Sequence, residues 1–197
     1  MKSKLYTFLT YLILFLAILQ SPLLYYYTTG FLGIFLGLFY ILFGFGCTIT
    51  FLILSMYFKN INRIQINILI ISMFIGISTL FFLDKTMENI DWELRKSSRD
   101  EIVALVKGGK IVPNVSHNNI IATLDNWSFP PISNGGNEIA IYKSNDTIVT
   151  VEFFIDRGFL DHYSAFVYTN DSEQIKIFNN NTKSYKKLSE NWYKVSY

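Results

Sequence analysis

The sequence predicts a membrane protein, with an N-terminal bundle of three transmembrane α-helices followed by a small α+β domain carrying an antiparallel meander sheet of about five strands. Three observations predict it. The first 83 residues contain three apolar stretches, each long enough to cross a bilayer. Every acidic residue lies at Asp84 or later. After Pro113 the apolar residues begin to alternate with period two.

A spanning helix needs about 20 mostly apolar residues, because the hydrocarbon core is ~30 Å thick and a helix rises ~1.5 Å per residue. Residues 5–27, 31–58 and 64–83 meet that need. Thr28-Thr29-Gly30 leaves only a tight turn between the first two, which predicts an antiparallel hairpin. Lys59-Asn60-Ile61-Asn62-Arg63 forms a short basic loop before the third. Lys2, Lys4, Lys59 and Arg63 are the only charged side chains before Asp84. Basic residues in short loops stay cytoplasmic, which places the N-terminus inside and the C-terminal domain outside. Tyr25, Tyr26, Tyr27 and Tyr57 cluster at stretch ends, where an amphipathic ring suits the membrane interface. The rival reading of the first stretch is a cleavable signal peptide, but Leu19-Gln20-Ser21-Pro22 lacks the small-x-small cleavage pattern.

Small residues mark the second stretch. At ~100° per residue Gly30, Gly33, Gly37, Gly44, Thr48 and Ser55 share one face. The third stretch has a corresponding stripe of Gln65, Ser72, Gly76 and Thr79. Small residues let helix backbones approach closely in lipid, so these faces are expected to pack against one another within the chain. Homo-oligomerisation through the same faces is the alternative. Gln20, Gln65 and Asn67 are expected near helix ends with their polar groups reaching water. No ionisable side chain lies inside the three stretches, which argues against a pump, a proton-coupled transporter or an ion-selective site.

Residues 84–110 read as a stalk and a short helix. Asp84 to Ser97 is charged and lacks turn residues. Ser98-Arg99-Asp100-Glu101 reads as a capping box opening a new helix over Ile102, Leu105 and Val106, which Gly108-Gly109 ends. Residues 111–197 read as the β-rich extracytoplasmic domain. Strands are expected at 138–143, 147–156, 162–169, 174–178 and 191–197, with an ordered loop around Trp127–Gly136.

Chemistry is sparse in this pattern. His117 and His162 are the only histidines, without HxH or HExxH spacing, and Cys47 is the single cysteine. No metal, disulfide or cofactor is therefore expected within one chain. His162 and Ser164 share a strand face but have no G-x-S-x-G elbow and no orienting acid in pattern, so no catalytic residue is assigned. The densest polar cluster is Asp156, Arg157, Phe159, Asp161, His162 and Tyr163 around Gly158. One reading is a hairpin turn in which Arg157 pairs with Asp156 or Asp161. The other is a recognition loop, since Arg and aromatic side chains are enriched at binding hot spots.

The first 83 residues carry +4, whereas the remainder has 13 basic and 15 acidic groups. The basic groups are dispersed, so nucleic acid is not expected as a partner. Abundant Ile, Asn, Lys, Phe and Tyr with little Ala or Pro is what AT-rich codons produce and points to a bacterial source. The function expected is non-enzymatic: an inner- or plasma-membrane protein, in contact with the lipid bilayer, that presents an extracytoplasmic module to a protein partner. A pore-forming or transport-accessory role for the helices is the first alternative, and a membrane-bound hydrolase the second.

Overall fold

A computed structural model describes residues 2–27, 30–57, 62–124, 130–145, 147–157 and 163–196. The chain forms two compact units, Met1–Thr28 with Leu32–Met87, and Glu88–Tyr197 with Thr29–Phe31. Helix α1 is Lys2–Tyr27, α2 is Gly30–Tyr57, and α3 is Arg63–Lys107. Among the described residues one helix, α1, is long and apolar enough over Lys4–Tyr27 to cross a membrane, by length and composition. The apolar segments Gly37–Ile53 and Arg63–Thr79 are shorter.

Within the first unit, hydroxyl groups donate to carbonyls of their own helix. Thr10 Oγ1 bonds to Tyr6 O, Thr48 Oγ1 to Gly44 O and Ser72 Oγ to Ile68 O, each at 2.8 Å. Such back-bonding satisfies a hydroxyl without an external partner. Asn62 and Gln65 form a reciprocal capping box at the start of α3, each side-chain oxygen accepting the other residue's backbone N–H at 2.9 Å. Gln65 Nε2 also donates to Thr7 Oγ1 at 2.8 Å. The polar groups expected to reach water are thus inside the unit for Gln65 and Gln20, both 6% exposed, while Asn67 is exposed.

The expected break at Ser98 does not occur. Helix α3 runs through it to Lys107. Its buried side chains Glu88, Trp92, Arg99, Val103 and Val106 recur at helical spacing across Ser98, and one continuous helix is what puts them on a single face. The end falls where expected. Gly109 has φ +70°, its N–H donates to Val106 O, and Lys110 N–H donates to Leu105 O, a Schellman motif.

The second unit is α+β. Strands β1 (Ile121–Thr123), β2 (Glu138–Lys143), β3 (Val149–Asp156), β4 (Ser164–Thr169), β5 (Tyr185–Ser189) and β6 (Trp192–Ser196) form one antiparallel sheet in the order β1-β2-β3-β4-β6-β5. The sheet departs from a simple meander because β6 inserts between β4 and the edge strand β5. The strand expected at 174–178 is instead part of helix α4, Ser172–Asn180. The Asp171 carboxylate accepts the Glu173 N–H at 2.9 Å and caps it. Phe178, three residues after Ile175, stacks on Tyr185 with ring centroids 4.4 Å apart. Strand β5 carries Lys186 and Lys187, charges that suit an exposed edge and dilute a strand signal.

The core lies between α3 and one sheet face. Phe153, Phe166 and Trp192 are buried there, and the Trp92 ring sits 5.4 Å from Phe166 and 5.3 Å from Trp192. Burying each such side chain contributes ~1.5–3 kcal/mol. Arg99 enters the same layer, with its guanidinium 4.5 Å from the Phe166 ring centroid and bonded to the Asp91 carboxylate. The indole N–H of Trp192 donates to Asp100 Oδ1 at 2.8 Å. Residues 132–137 form the ordered loop expected before β2. Ser133 Oγ accepts the Phe154 N–H, and Asn134 Nδ2 donates to Ile155 O, so side chains take over where sheet pairing is interrupted.

Candidate interaction site

The opposite sheet face is where the second unit concentrates partly open polar groups. Alternation along β3 turns Thr150, Glu152 and Phe154 to that face, while Val151 and Phe153 point to α3. Helix α4 covers the Thr150 end, where Gln174 Oε1 accepts from Thr150 Oγ1 at 2.9 Å. Further along, Glu152 lies between two phenols. Tyr163 donates to Glu152 Oε2 at 2.5 Å, and Tyr142 on β2 hydrogen-bonds to the same carboxylate. Burial pushes the Glu152 carboxyl above its ordinary value, and the two phenol hydrogen bonds oppose that shift. Tyr142 is raised as well, first by burial and then by the Glu152 charge.

Arg157 extends the patch. Its Nη1 donates to Glu138 Oε2 at 2.7 Å, and its guanidinium lies 4.0 Å from the Phe154 ring centroid. Phe154 in turn meets Tyr163 edge-on at 6.1 Å. Glu138, Arg157, Phe154, Tyr163, Glu152 and Tyr142 therefore form one contiguous run of charged and aromatic side chains, in which Phe154 is buried beneath Arg157. Arg157 and Glu138 are each about one-third exposed, so their pair is reachable from water.

Of the cluster singled out in sequence, the structure brings Arg157 and Tyr163 into this patch. Asp156 ends β3, opposite Ser164 across a register shift. Phe159, Asp161 and His162 lie outside the described residues. Among the described residues Arg157 pairs with Glu138, 19 positions away at the start of the adjacent strand, while Asp161, one of the partners expected for it, lies outside them. Strand pairing made that contact, so sequence proximity could not reveal it. Glu152 and Tyr142 were missed. Their signal is present in the sequence as a lone carboxylate inside the apolar run Val149–Ile155.

The small-residue faces of the helices divide. Gly37 packs close to α1, where a Cβ would meet Leu24 Cδ2 at 3.1 Å. Gly44, Ser72 and Gly76 instead line a cavity, and a Cβ on Gly44 would meet nothing within 4 Å. The surroundings of Gly30 and Gly33 lie outside the described side chains. Among the described residues, no three of His, Cys, Asp and Glu stand close enough to share a metal ion.

No protein-family model matches the chain, and no curated protein or solved structure is significantly similar to it. The geometry of the patch therefore carries the functional argument. A charged, aromatic, partly open surface on a rigid sheet can bind by cation–π contact and charge-assisted hydrogen bonds.

Proposed function

We propose that this is a membrane-anchored binding protein of non-enzymatic type. Three helices hold it in the bilayer with the N-terminus cytoplasmic, and residues 88–197 present a recognition surface on the other side. The observation that carries the binding role is the run Glu138–Arg157–Phe154–Tyr163–Glu152–Tyr142, which gathers Arg and aromatic side chains, the types that dominate interface energetics. The anchoring role rests on α1, whose length and composition suit a span, and on the absence of acidic residues before Asp84. The partner would be an envelope or secreted protein offering a carboxylate or backbone acceptor to Arg157 and a donor to Glu152.

Protease treatment of intact spheroplasts, with a C-terminal tag as reporter, tests the arrangement. Digestion of the tag from outside is the expected result. Protection until the membrane is lysed would place residues 88–197 in the cytoplasm and end this reading.

A further inference from the structure

The two edge strands of the sheet, β1 and β5, end differently. Along β1 the outward backbone groups are already satisfied. Asn114 N–H donates to Ile121 O at 3.1 Å, its Oδ1 accepts the Thr123 N–H at 2.8 Å, and its Nδ2 donates to Thr123 O at 3.0 Å. One residue thus stands in for a neighbouring strand and closes that edge. Strand β5 has no such cover. Among the described residues it pairs with β6 alone. Ser196 N–H donates to Ser184 O, so by antiparallel alternation Lys186 bonds inward to Lys194, while Tyr185 and Lys187 turn their backbone groups away from the sheet. The Tyr185 N–H finds Asn181 O at 3.1 Å. The N–H and C=O of Lys187 have no hydrogen-bond partner among the described residues. Lys183, Lys186 and Lys187 frame this edge, and all three are exposed. None of them forms an ion pair among the described residues, whereas Lys176 and Lys194 hold Glu173 and Glu88. Glu190 is the one acidic residue in the segment 183–192.

We infer that β5 takes an extended, acidic segment of a partner protein as a seventh strand. The backbone of that segment pairs with Lys187, and its carboxylates meet Lys183, Lys186 and Lys187. In strand addition, main-chain hydrogen bonds supply affinity and side chains select the partner. Here the selecting charge is positive, and it lacks a counter-charge within the described chain. A second copy adding through its own β5 fits less well, because it would bring Lys186 and Lys187 of the two copies together, and like charges across a strand pair are destabilising. The lysines that deter self-pairing are the ones that favour an acidic strand. Strand β5 is separated from the patch around Glu152 by β4 and β6, and its pairing requires neither that patch nor the membrane orientation proposed above.

The test uses the full chain in phosphatidylcholine nanodiscs. The probe is a short fluorescein-labelled peptide of alternating glutamate and valine with blocked ends. Fluorescence anisotropy is expected to show saturable binding. Lys186→Glu/Lys187→Glu should weaken it about tenfold, the factor that losing two exposed ion pairs gives. The same peptide N-methylated at every residue keeps its charge but donates no backbone hydrogen bond, and it should also bind about tenfold more weakly or worse. Lys187→Pro should weaken binding more than Lys187→Gln, since both lose the charge and only proline loses the outward N–H, at an edge position where a sheet tolerates it. Circular dichroism confirms that each variant is folded, and the N-methylated peptide needs no variant at all. No binding of the acidic peptide, equal binding of its N-methylated form, or binding unchanged by the lysine reversal overturns the inference. Co-flotation of the discs with phosphatidylglycerol vesicles, lost in Lys186→Glu/Lys187→Glu and without peptide binding, assigns the lysines to an anionic lipid surface and overturns it. A dimer of the wild-type chain that Lys187→Pro dissociates assigns the edge to a second copy and overturns it as well.

Discussion

Arg99 reaches back along α3 to Asp91, and both side chains are 2% exposed in the core of the second unit. Asp91 also receives Arg95 Nη1 at 3.0 Å. Two guanidinium groups thus depend on one carboxylate at the foot of the sheet. Removing one member of a buried pair leaves an uncompensated charge, which commonly costs ~3–5 kcal/mol, whereas replacing the whole pair by apolar side chains is often neutral. Asp91→Ala is therefore expected to destabilise the protein by about 3 kcal/mol or more. The triple variant Asp91→Leu/Arg95→Met/Arg99→Met, which removes the carboxylate and both guanidinium groups, should recover most of that loss. Urea unfolding of the full chain, followed by the fluorescence of Trp92 and Trp192, reads the difference. A triple variant no more stable than the single one would show that packing around Phe166, rather than the charge, is what matters.

Glu152 gives the protein a pH-dependent term of defined sign. Its carboxyl is raised above 4.5 by burial, so between that value and the folded one the native state binds more protons than the unfolded chain. Stability from this group is fully present below 4.5 and is lost as pH rises through the folded value. Glu152→Gln cannot ionise. Its stability relative to wild type should rise across that window and level off above it. Thermal midpoints of the two proteins measured from pH 4 to pH 8 check this, and a difference that stays flat with pH counts against a raised carboxyl.

Arg157 and Glu138 test whether the patch serves stability or recognition. A partly exposed pair contributes little, typically under ~1 kcal/mol. Arg157→Ala should therefore leave the urea midpoint almost unchanged. A loss well beyond ~1 kcal/mol would mean that the cation over Phe154 is structural and that the patch is poorly suited to release it to a partner.

Gly109 is required by backbone geometry rather than by space. Its φ of +70° is unfavourable for a side chain, although no neighbouring atom would contact the Cβ. Gly109→Ala should cost ~1 kcal/mol. Gly108→Ala, at a residue without positive φ, should cost less, since its Cβ meets Ala104 O at 3.4 Å. Equal effects in a denaturation series would remove the Schellman motif as the reason α3 stops there.

Much of this fold was legible because local rules and tertiary packing agree. Strand patterns in the sequence located β2, β3, β4 and β6, although burial in β3 and β4 runs through both faces rather than alternating. The Gly108-Gly109 pair located the end of α3. The errors have identifiable causes. The stripe that carries α3 through Ser98 contains Glu88, Asp91 and Arg99, so it does not look apolar, and a local capping signal took its place. At Ile175 and Ile177, alternation imitated a strand, while the Asp171 cap that starts α4 passed unnoticed. Strand β1 has three residues and β5 is lysine-bearing, so neither reaches the length or apolarity that a strand pattern needs.

By itself the sequence determined that the chain has two unlike parts, since the placement of every acidic residue after Leu83 is a matter of order along the chain. It also determined the α+β character of the second part, because side-chain periodicity is a local property of helix and strand. Tertiary structure alone decided which groups meet. Glu138 reaches Arg157, and Tyr163 reaches Glu152, through strand pairing that no spacing in the sequence encodes. Tertiary structure likewise decided that Gly44 and Gly76 leave a cavity while Gly37 closes against Leu24. A missing side chain only creates the opportunity for close approach, and the distance between the helix backbones settles whether that space is filled.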